Sequence, residues 1–545
     1  MQPESSDHLH RNLAALSTTD PALAALIETS APNQSLAFRQ AKSGAIVPVL
    51  REGAGDLPFH SLVDPAREAD RIAQSLRETG YLVCLGLGGG YLAAAFLRLP
   101  AACGILIVEK DPSTLRALLA NLPLTSVLSD RRVRVTTGTA NLRDALLSSY
   151  LPAICGNLGS LPVRPWCKAE QQFFDKAAEE LRVAAEDAHA DYGVQALFGK
   201  RWFTNMLLNL PATAPDQRKR AQPAWLRAKL AHVTAAGPSL ECSLEELAHR
   251  NDRSIIIATD TSLPALVKCG IQPEIVVSLD CQTYSYHHFL TGFPAETTFF
   301  FDLASPPFLV RRAGAQGRFF ASAHPFSRFA NEHVSRFPVV DTTGGNVTHA
   351  AVSVARALGV PEVRLHGADF SYPLAKPYAR GTYLFDHFLA RSQRNAPVEG
   401  SLTCFVFTCP GLAARREAGG VRYSTPVLRD YKARLERLIE QTEQASDLGP
   451  SLHFENAPVL WEWSDFLSHY GETLRALPDP SPPLGGYFNR LSAAQRELWA
   501  TVLPITARIQ REAGGLARGP ACLQESRRWA LDRVERMKSL SAHGL

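Results

Sequence analysis

The sequence predicts an α/β protein, two Rossmann-like parallel-sheet domains followed by a helical C-terminal region. Three observations predict it. Short apolar runs alternate with helical patterns in two separate series, small-residue turns follow the first run of each series, and after residue 426 the alternation gives way to amphipathic helical stretches. A length of 545 residues exceeds what one hydrophobic core usually serves. Hydrophobic residues at 46% and charged residues at 20%, without low-complexity tracts, exclude disordered and fibrous classes. The net charge of +4 is too small for this length to predict nucleic-acid binding or attraction to a membrane surface.

The first series, 1–165, reads strand, helix, strand, helix, strand: YLVCLGL at 81–87, a helix from Tyr91, GILIVE at 104–109, a helix near 113–120 and RVRVTT at 132–137. A connector, 166–224, is helical and rich in Ala, Glu and Lys to about residue 210, then becomes a Pro- and charge-rich linker over 211–223. The second series, 225–440, has seven runs, at 231–236, 254–259, 274–279, 297–302, 317–322, 337–342 and 362–367, with helices expected at 243–250, 262–269 and 347–358. Seven such runs predict a doubly wound sheet. A helix follows at 426–445 with Leu435, Leu438 and Ile439 on one face, and 441–545 is expected to be helical, notably over 492–540.

The N-terminus, MQPESSDHLHRNLAAL, is polar and acidic where a secretory leader needs a basic start and an apolar stretch, so a cytoplasmic location is expected. The most apolar segment, 298–310, is interrupted by Pro306-Pro307 and falls short of the about 20 residues that cross a bilayer. Ten cysteines are scattered, and Cys404 and Cys409, the nearest pair, have four residues between them. That spacing predicts reduced thiols rather than a zinc ribbon or a disulfide framework.

In open parallel sheets ligands bind beyond the carboxyl ends of the strands, so the residues just after each run carry the functional weight. The first run of the second series leads into Gly237-Pro238-Ser239, with Ser239 or Ser243 as the expected cap of the next helix. The second leads into Asp260, the third into Ser278 and Asp280, the sixth into Gly344, Gly345, Asn346 and Thr348, and the seventh into Asp369. Each alone is ordinary turn or cap chemistry. Five polar loops on one edge, two of them opening helices whose N–H groups attract phosphate, together predict a nucleotide pocket. Candidate proton acceptors are His324, His349 and His366, with His387 a fourth, although a lone histidine is more often structural. Arg380, with Tyr372, Tyr378 and Tyr383, offers contacts to phosphate or a sugar carboxylate, or is an ordinary surface loop.

The segments AAGPSLE (235–241), IIIATDTSLPALVKCGIQPEIVVSLDCQ (255–282) and GGNVTHAAVSVARALGVPEVRLHGADFSY (344–372) resemble successive motifs of the central domain of the motility-associated-factor (Maf) flagellin glycosyltransferases. That domain is similar to bacterial sialyltransferases and to hydroxymethylpterin pyrophosphokinases (MptE-like). Upstream, RWFTNMLLNL at 201–210 resembles the family's connector, ending in Asn209-Leu210-Pro211, and 423–431 resembles the segment that follows its core. The resemblance implies a cytoplasmic glycosyltransferase that moves a nonulosonic (sialic-like) acid from a CMP-activated donor to Ser or Thr of flagellin, supporting flagellar assembly and motility.

The pyrophosphokinase branch resembles a pattern with Asp-x-Asp in the third loop and Thr-Asp-Gly-Asp in the sixth, as magnesium between triphosphate and protein requires. Here the third loop offers Ser278 and Asp280, and the sixth reads Thr343-Gly344-Gly345-Asn346. With two candidate magnesium ligands missing, the expectation is a sugar nucleotide held without a metal; magnesium is needed only on the pyrophosphokinase alternative.

In the first series Gly86, Gly88 and Gly90 follow a strand and open a helix, and Glu109 ends the next strand. This is the spacing of a secondary dinucleotide or S-adenosylmethionine site. Maf proteins carry a similar N-terminal domain with no established reaction, so the resemblance favours a vestigial or regulatory nucleotide site, with a methyltransferase as the alternative. A third reading is a non-catalytic, flagellin-associated nucleotide-binding protein.

Overall fold

The structure, a computed structural model, describes residues 3–52, 55–213, 228–334, 337–342, 344–444, 461–514 and 519–542. Most of the expected linker at 211–223, residue Thr343 of the sixth loop and the stretch 445–460 lie outside the described residues. The chain divides into two compact units, Met1–Gly199 with Ala476–Trp529, and Lys200–Arg475 with Ala530–Leu545. The C-terminal region expected at 441–545 is thus shared between the two units.

The first unit carries an antiparallel sheet, β1 (Leu36–Gln40), β2 (Ile46–Glu52) and β3 (Gly55–Pro58), and a parallel sheet of β4 (Thr79–Leu85), β5 (Gly104–Glu109), β6 (Val133–Thr137) and β7 (Asn157–Pro162) in the order β6-β5-β4-β7. β5 is buried along its whole length, as expected for a parallel strand covered on both faces. β7 escapes the sequence reading because NLGSLP mixes polar and apolar residues on a half-exposed edge. The order reverses between β4 and β7, which places the Gly86 turn at a switch point.

The second unit holds a six-stranded, all-parallel sheet: β8 (Leu230–Thr234), β9 (Ser254–Thr259), β10 (Ile275–Ser278), β11 (Thr298–Asp302), β12 (Gly317–Phe320) and β13 (Glu362–His366), in the order β12-β11-β10-β9-β8-β13. The helix Val347–Ala357 packs across one face on Ile255, Ile257, Val277 and Phe300, and Leu435 and Leu438 of the helix Pro426–Gln444 join the same core. The sixth run does not become a strand. At 337–342 only Val339 makes a bridge, to Ala321, because Pro338 has no N–H to give a ladder and β12 ends after four residues. A short antiparallel sheet of β14 (Tyr372–Pro373), β15 (Ala413–Glu417) and β16 (Gly420–Ser424), in the order β14-β16-β15, follows the main sheet in the chain.

Candidate functional site

Since every strand of the second unit's sheet is parallel, all carboxyl ends lie on one edge. A helix that joins two parallel strands runs back against them, so the N-terminus of Val347–Ala357 reaches the same edge. The order reverses between β8 and β13. There the Gly237 N–H donates to the Gly367 carbonyl at 2.8 Å, and the Ser239 N–H and Oγ both donate to Asp369 Oδ2, at 3.0 and 2.9 Å. A Cβ on Gly237 would stand 2.3 Å from Asp369 Oδ2 and 2.5 Å from Gly367 O. With φ at −70°, this glycine is required by space rather than by backbone conformation.

Two expectations about this loop change. Neither Ser239 nor Ser243 makes a side-chain cap, and Gly237 is the N-cap of a 3₁₀ segment, Pro238–Ser243, that leads into the five-residue helix Leu244–Ala248. The N–H groups of Gly237, Ser239 and Leu240 all have protein acceptors, so the Asp369 carboxylate stands where an anion was expected.

Beside it lies an acidic group. Asp260 is 2% exposed; its Oδ2 accepts the Ser278 hydroxyl at 2.8 Å and its Oδ1 the Thr261 N–H at 2.7 Å. Burial raises the Asp260 pKa, and the charge of Asp280 adds to the rise while His288 and the hydrogen bonds oppose it. Asp280, half-buried, turns Oδ1 to the Gln282 N–H at 2.9 Å. At the end of β11, burial pushes the Asp302 carboxyl up to about 6. Sequence reasoning passed over Asp302 and His288. The signal for Asp302 was its place directly ending the fourth run; His288 had none, for only folding brings it close to Asp260.

Asn205 and Asn209, within the quoted connector motif, were also not recognised as site residues. The Asn205 amide donates to the carbonyls of Cys281 and Ala304 at 3.1 and 2.8 Å, and the buried Asn209 amide to Leu303 and Ser305, both at 2.8 Å. Two side chains of one helix, Gln171–Asn209, therefore hold the loops after β10 and β11.

At the sixth loop Asn346 caps the helix, accepting the His349 N–H at 3.0 Å. A Cβ on Gly344 would meet the His349 ring at 2.1 Å, and Gly345, with φ at +72°, lies against Tyr431. Thr348 is buried in the first turn.

The candidate histidines do not converge. His349 is buried, its pKa lowered chiefly by burial, and its Nδ1 has no hydrogen-bond partner among the described residues. His324 caps the helix Pro325–His333 by accepting the Phe326 N–H at Nδ1. Its ring proton then sits on Nε2, making that atom a donor, and burial lowers the pKa to about 3. His366 ends β13 with Nε2 at 2.9 Å from His232 Nδ1, and burial lowers both pKa values. After the seventh loop, the Arg380 N–H donates to Glu241, and Tyr383 stacks on His287 with ring centroids 4.5 Å apart.

In the first unit the Gly-rich turn is filled by the protein itself. The buried Glu109 carboxylate accepts the Leu87 and Lys110 N–H groups and the Trp166 indole, at 2.9, 2.9 and 3.0 Å. The Gly89 N–H donates to His60 Nε2 at 2.7 Å, and a Cβ on Gly88 would meet the same nitrogen at 2.6 Å. The helix that follows, Tyr91–Leu97, has seven residues and no side-chain cap.

These two parallel-sheet units have the fold of a Maf glycosyltransferase. The structure titled "Structure of MAf glycosyltransferase from Magnetospirillum magneticum AMB-1" aligns with a TM-score of 0.52 over 98% of this chain and 95% of that one, at 14% identity. A family model described as 6-hydroxymethylpterin diphosphokinase MptE-like matches residues 204–374, the core of the second unit. An uncharacterized protein of Treponema pallidum (strain Nichols) is 30% identical over 205 residues, covering 37% of this chain and 72% of the relative. A second from the same strain is 32% identical over 171 residues, covering 31% and 80%. The chain belongs to one family with these Treponema proteins, and its central domain is MptE-like. No helix among the described residues is long and apolar enough to cross a membrane.

Proposed function

We propose that the protein is a glycosyltransferase that moves a nonulosonic acid from a CMP-activated donor to Ser or Thr of flagellin in the cytoplasm. The observation that carries the reading is the carboxyl edge of the second unit's sheet, which bears Asp260, Ser278, Asp280 and the start of the capped helix Val347–Ala357 on strands leading up to the β8–β13 switch point, in a chain with the Maf fold. The donor phosphate faces the N–H groups at the start of that helix, and the half-buried Asp280 carboxylate accepts a ribose or base donor, with the buried Asp260 holding the Ser278 hydroxyl and the Thr261 N–H beside it. In the reaction the acceptor oxygen bonds to the anomeric carbon, the bond from that carbon to the phosphate oxygen breaks, and CMP leaves. The acceptor proton passes to an imidazole, for which His349, whose Nδ1 has no partner among the described residues, is the first choice and His288 the second.

Metal-free binding is part of the proposal. The MptE-like match, together with the row of carboxylates at the edge, favours one rival, a magnesium-dependent pyrophosphokinase. Calorimetry with CMP and with ATP, first in EDTA and then with magnesium, separates them. CMP binding in EDTA that persists in Asp280→Asn is expected; affinity only for ATP with magnesium, lost in that variant, would overturn the transferase reading.

A further inference from the structure

β8 and β13 each direct one imidazole to the face of the sheet opposite the helix Val347–Ala357. Ala231 and Val233 pack in the core with that helix, so His232 between them points away, and the same alternation along β13 turns His366 with it. The two rings are 3% and 6% exposed. Their facing nitrogens, His232 Nδ1 and His366 Nε2, are 2.9 Å apart. Glu246, on the helix Leu244–Ala248 that covers this face, brings a carboxylate oxygen to the pair, and the three ligand atoms all lie within 4.8 Å of one another.

We propose that His232, Glu246 and His366 form a binding site for a late first-row divalent cation, with Zn²⁺ the best match. Two imidazoles select zinc over magnesium or calcium, which take oxygen ligands. Zinc–nitrogen bonds of about 2.0–2.1 Å at a tetrahedral angle set the nitrogens roughly 3.3 Å apart, so the pair needs to open by only a few tenths of an ångström. Burial keeps both rings in the neutral form that ligates, and Glu246, exposed at the surface, marks the solvent side on which water takes the fourth position. The competing arrangement is a plain imidazole–imidazole hydrogen bond with Glu246 paired to Arg364, at 3.6 Å. The ion would tie β8 to β13 directly before the Gly237 and Gly367 loops, where the Ala235 N–H already donates to the His366 carbonyl at 2.8 Å. It is a strand clamp, separate from phosphate binding, and independent of the glycosyltransferase reading.

The test uses the full chain, stripped with EDTA, kept reduced with a phosphine so that no added thiol competes, and titrated with Zn²⁺ against a chromophoric chelator. Wild type should take up one equivalent that His232→Gln and His366→Gln lose. Glu246→Gln, at an exposed position that leaves folding untouched, should weaken it at least tenfold, since even outer-shell partners of zinc ligands carry about 10–100-fold. Co²⁺ should give the intense visible absorption of a four-coordinate site in wild type and not in the variants. No uptake of either ion by wild type would overturn the proposal, as would uptake unchanged by Glu246→Gln and by whichever histidine variants fold, which would assign the ion to the cysteines.

Discussion

Replacing Gly237 with Ala puts a methyl group 2.3 Å from Asp369 Oδ2 and 2.5 Å from Gly367 O, closer than a Cβ can approach either. The φ of −70° suits alanine, so the whole cost is one of space. Relief requires the 237–239 turn to leave the 367–369 loop, which breaks the Gly237–Gly367 backbone bond and both bonds from Ser239 to the Asp369 carboxylate. A neutral hydrogen bond contributes about 0.5–1.5 kcal/mol and one to a charged group about 1.5–3; with Ser239 exposed, the lower ends apply and sum to about 3.5 kcal/mol. At roughly 2–4 °C per kcal/mol for domains of 150–250 residues, the melting transition of the second unit should fall by roughly 7–14 °C in scanning calorimetry. Gly400→Ala is the control: its Cβ meets nothing within 4 Å in the helix Val398–Phe407, so it should be neutral or up to about 1 kcal/mol stabilising. A Gly237→Ala protein that melts with the wild type would refute the close-approach argument, and an equal fall in Gly400→Ala would show that the assay does not resolve the site.

Asn346→Asp keeps an oxygen to cap the His349 N–H but adds a negative charge at the helix start, so CMP affinity in EDTA should drop at least tenfold with little change in melting. Unchanged affinity would move the phosphate elsewhere. Gly345→Asp is the poorer test, because its φ of +72° and the neighbouring Tyr431 would strain the backbone whatever the charge. Asn209→Ala removes two bonds and leaves the Leu303 and Ser305 carbonyls without that donor, which should cost about 2–3 kcal/mol in urea unfolding; a loss under about 0.5 kcal/mol would mean that the helix does not brace these loops. In the first unit, burial lowers the His60 pKa from 6.5 to about 4. The unfolded chain therefore takes up this proton first, and the contribution, present in full above pH 6.5, is lost as pH falls towards 4, by about 3 kcal/mol at most. Urea melts across that window should show a shallower decline in His60→Gln than in wild type; equal slopes would show that His60 does not carry the effect.

Local chemistry was legible in the sequence because it depends on neighbours along the chain. Continuous apolar runs reported β4, β5 and β8 to β11, since strands buried on both faces must be apolar throughout. The start of the helix expected at 347–358 was legible, because its cap, Asn346, acts on the next three residues alone. Edge elements were less legible: β7 lacks the apolar run and 337–342 has one with no more than a single bridge, as an edge strand is decided by its partner.

By itself, then, the sequence determined two series of buried parallel strands and the polar loops at their ends. Only the tertiary structure decided what those loops do. Asp369 is 130 residues from Ser239 yet takes its N–H and hydroxyl, Glu109 closes on the Leu87 turn, and His60 fills the space beside Gly88. The reason is that a turn's residue types fix which donors it presents, whereas the acceptor that satisfies them comes from whichever strand the sheet order sets alongside. The order β8-β13 also sets His232 against His366, a pairing that no spacing along the chain records.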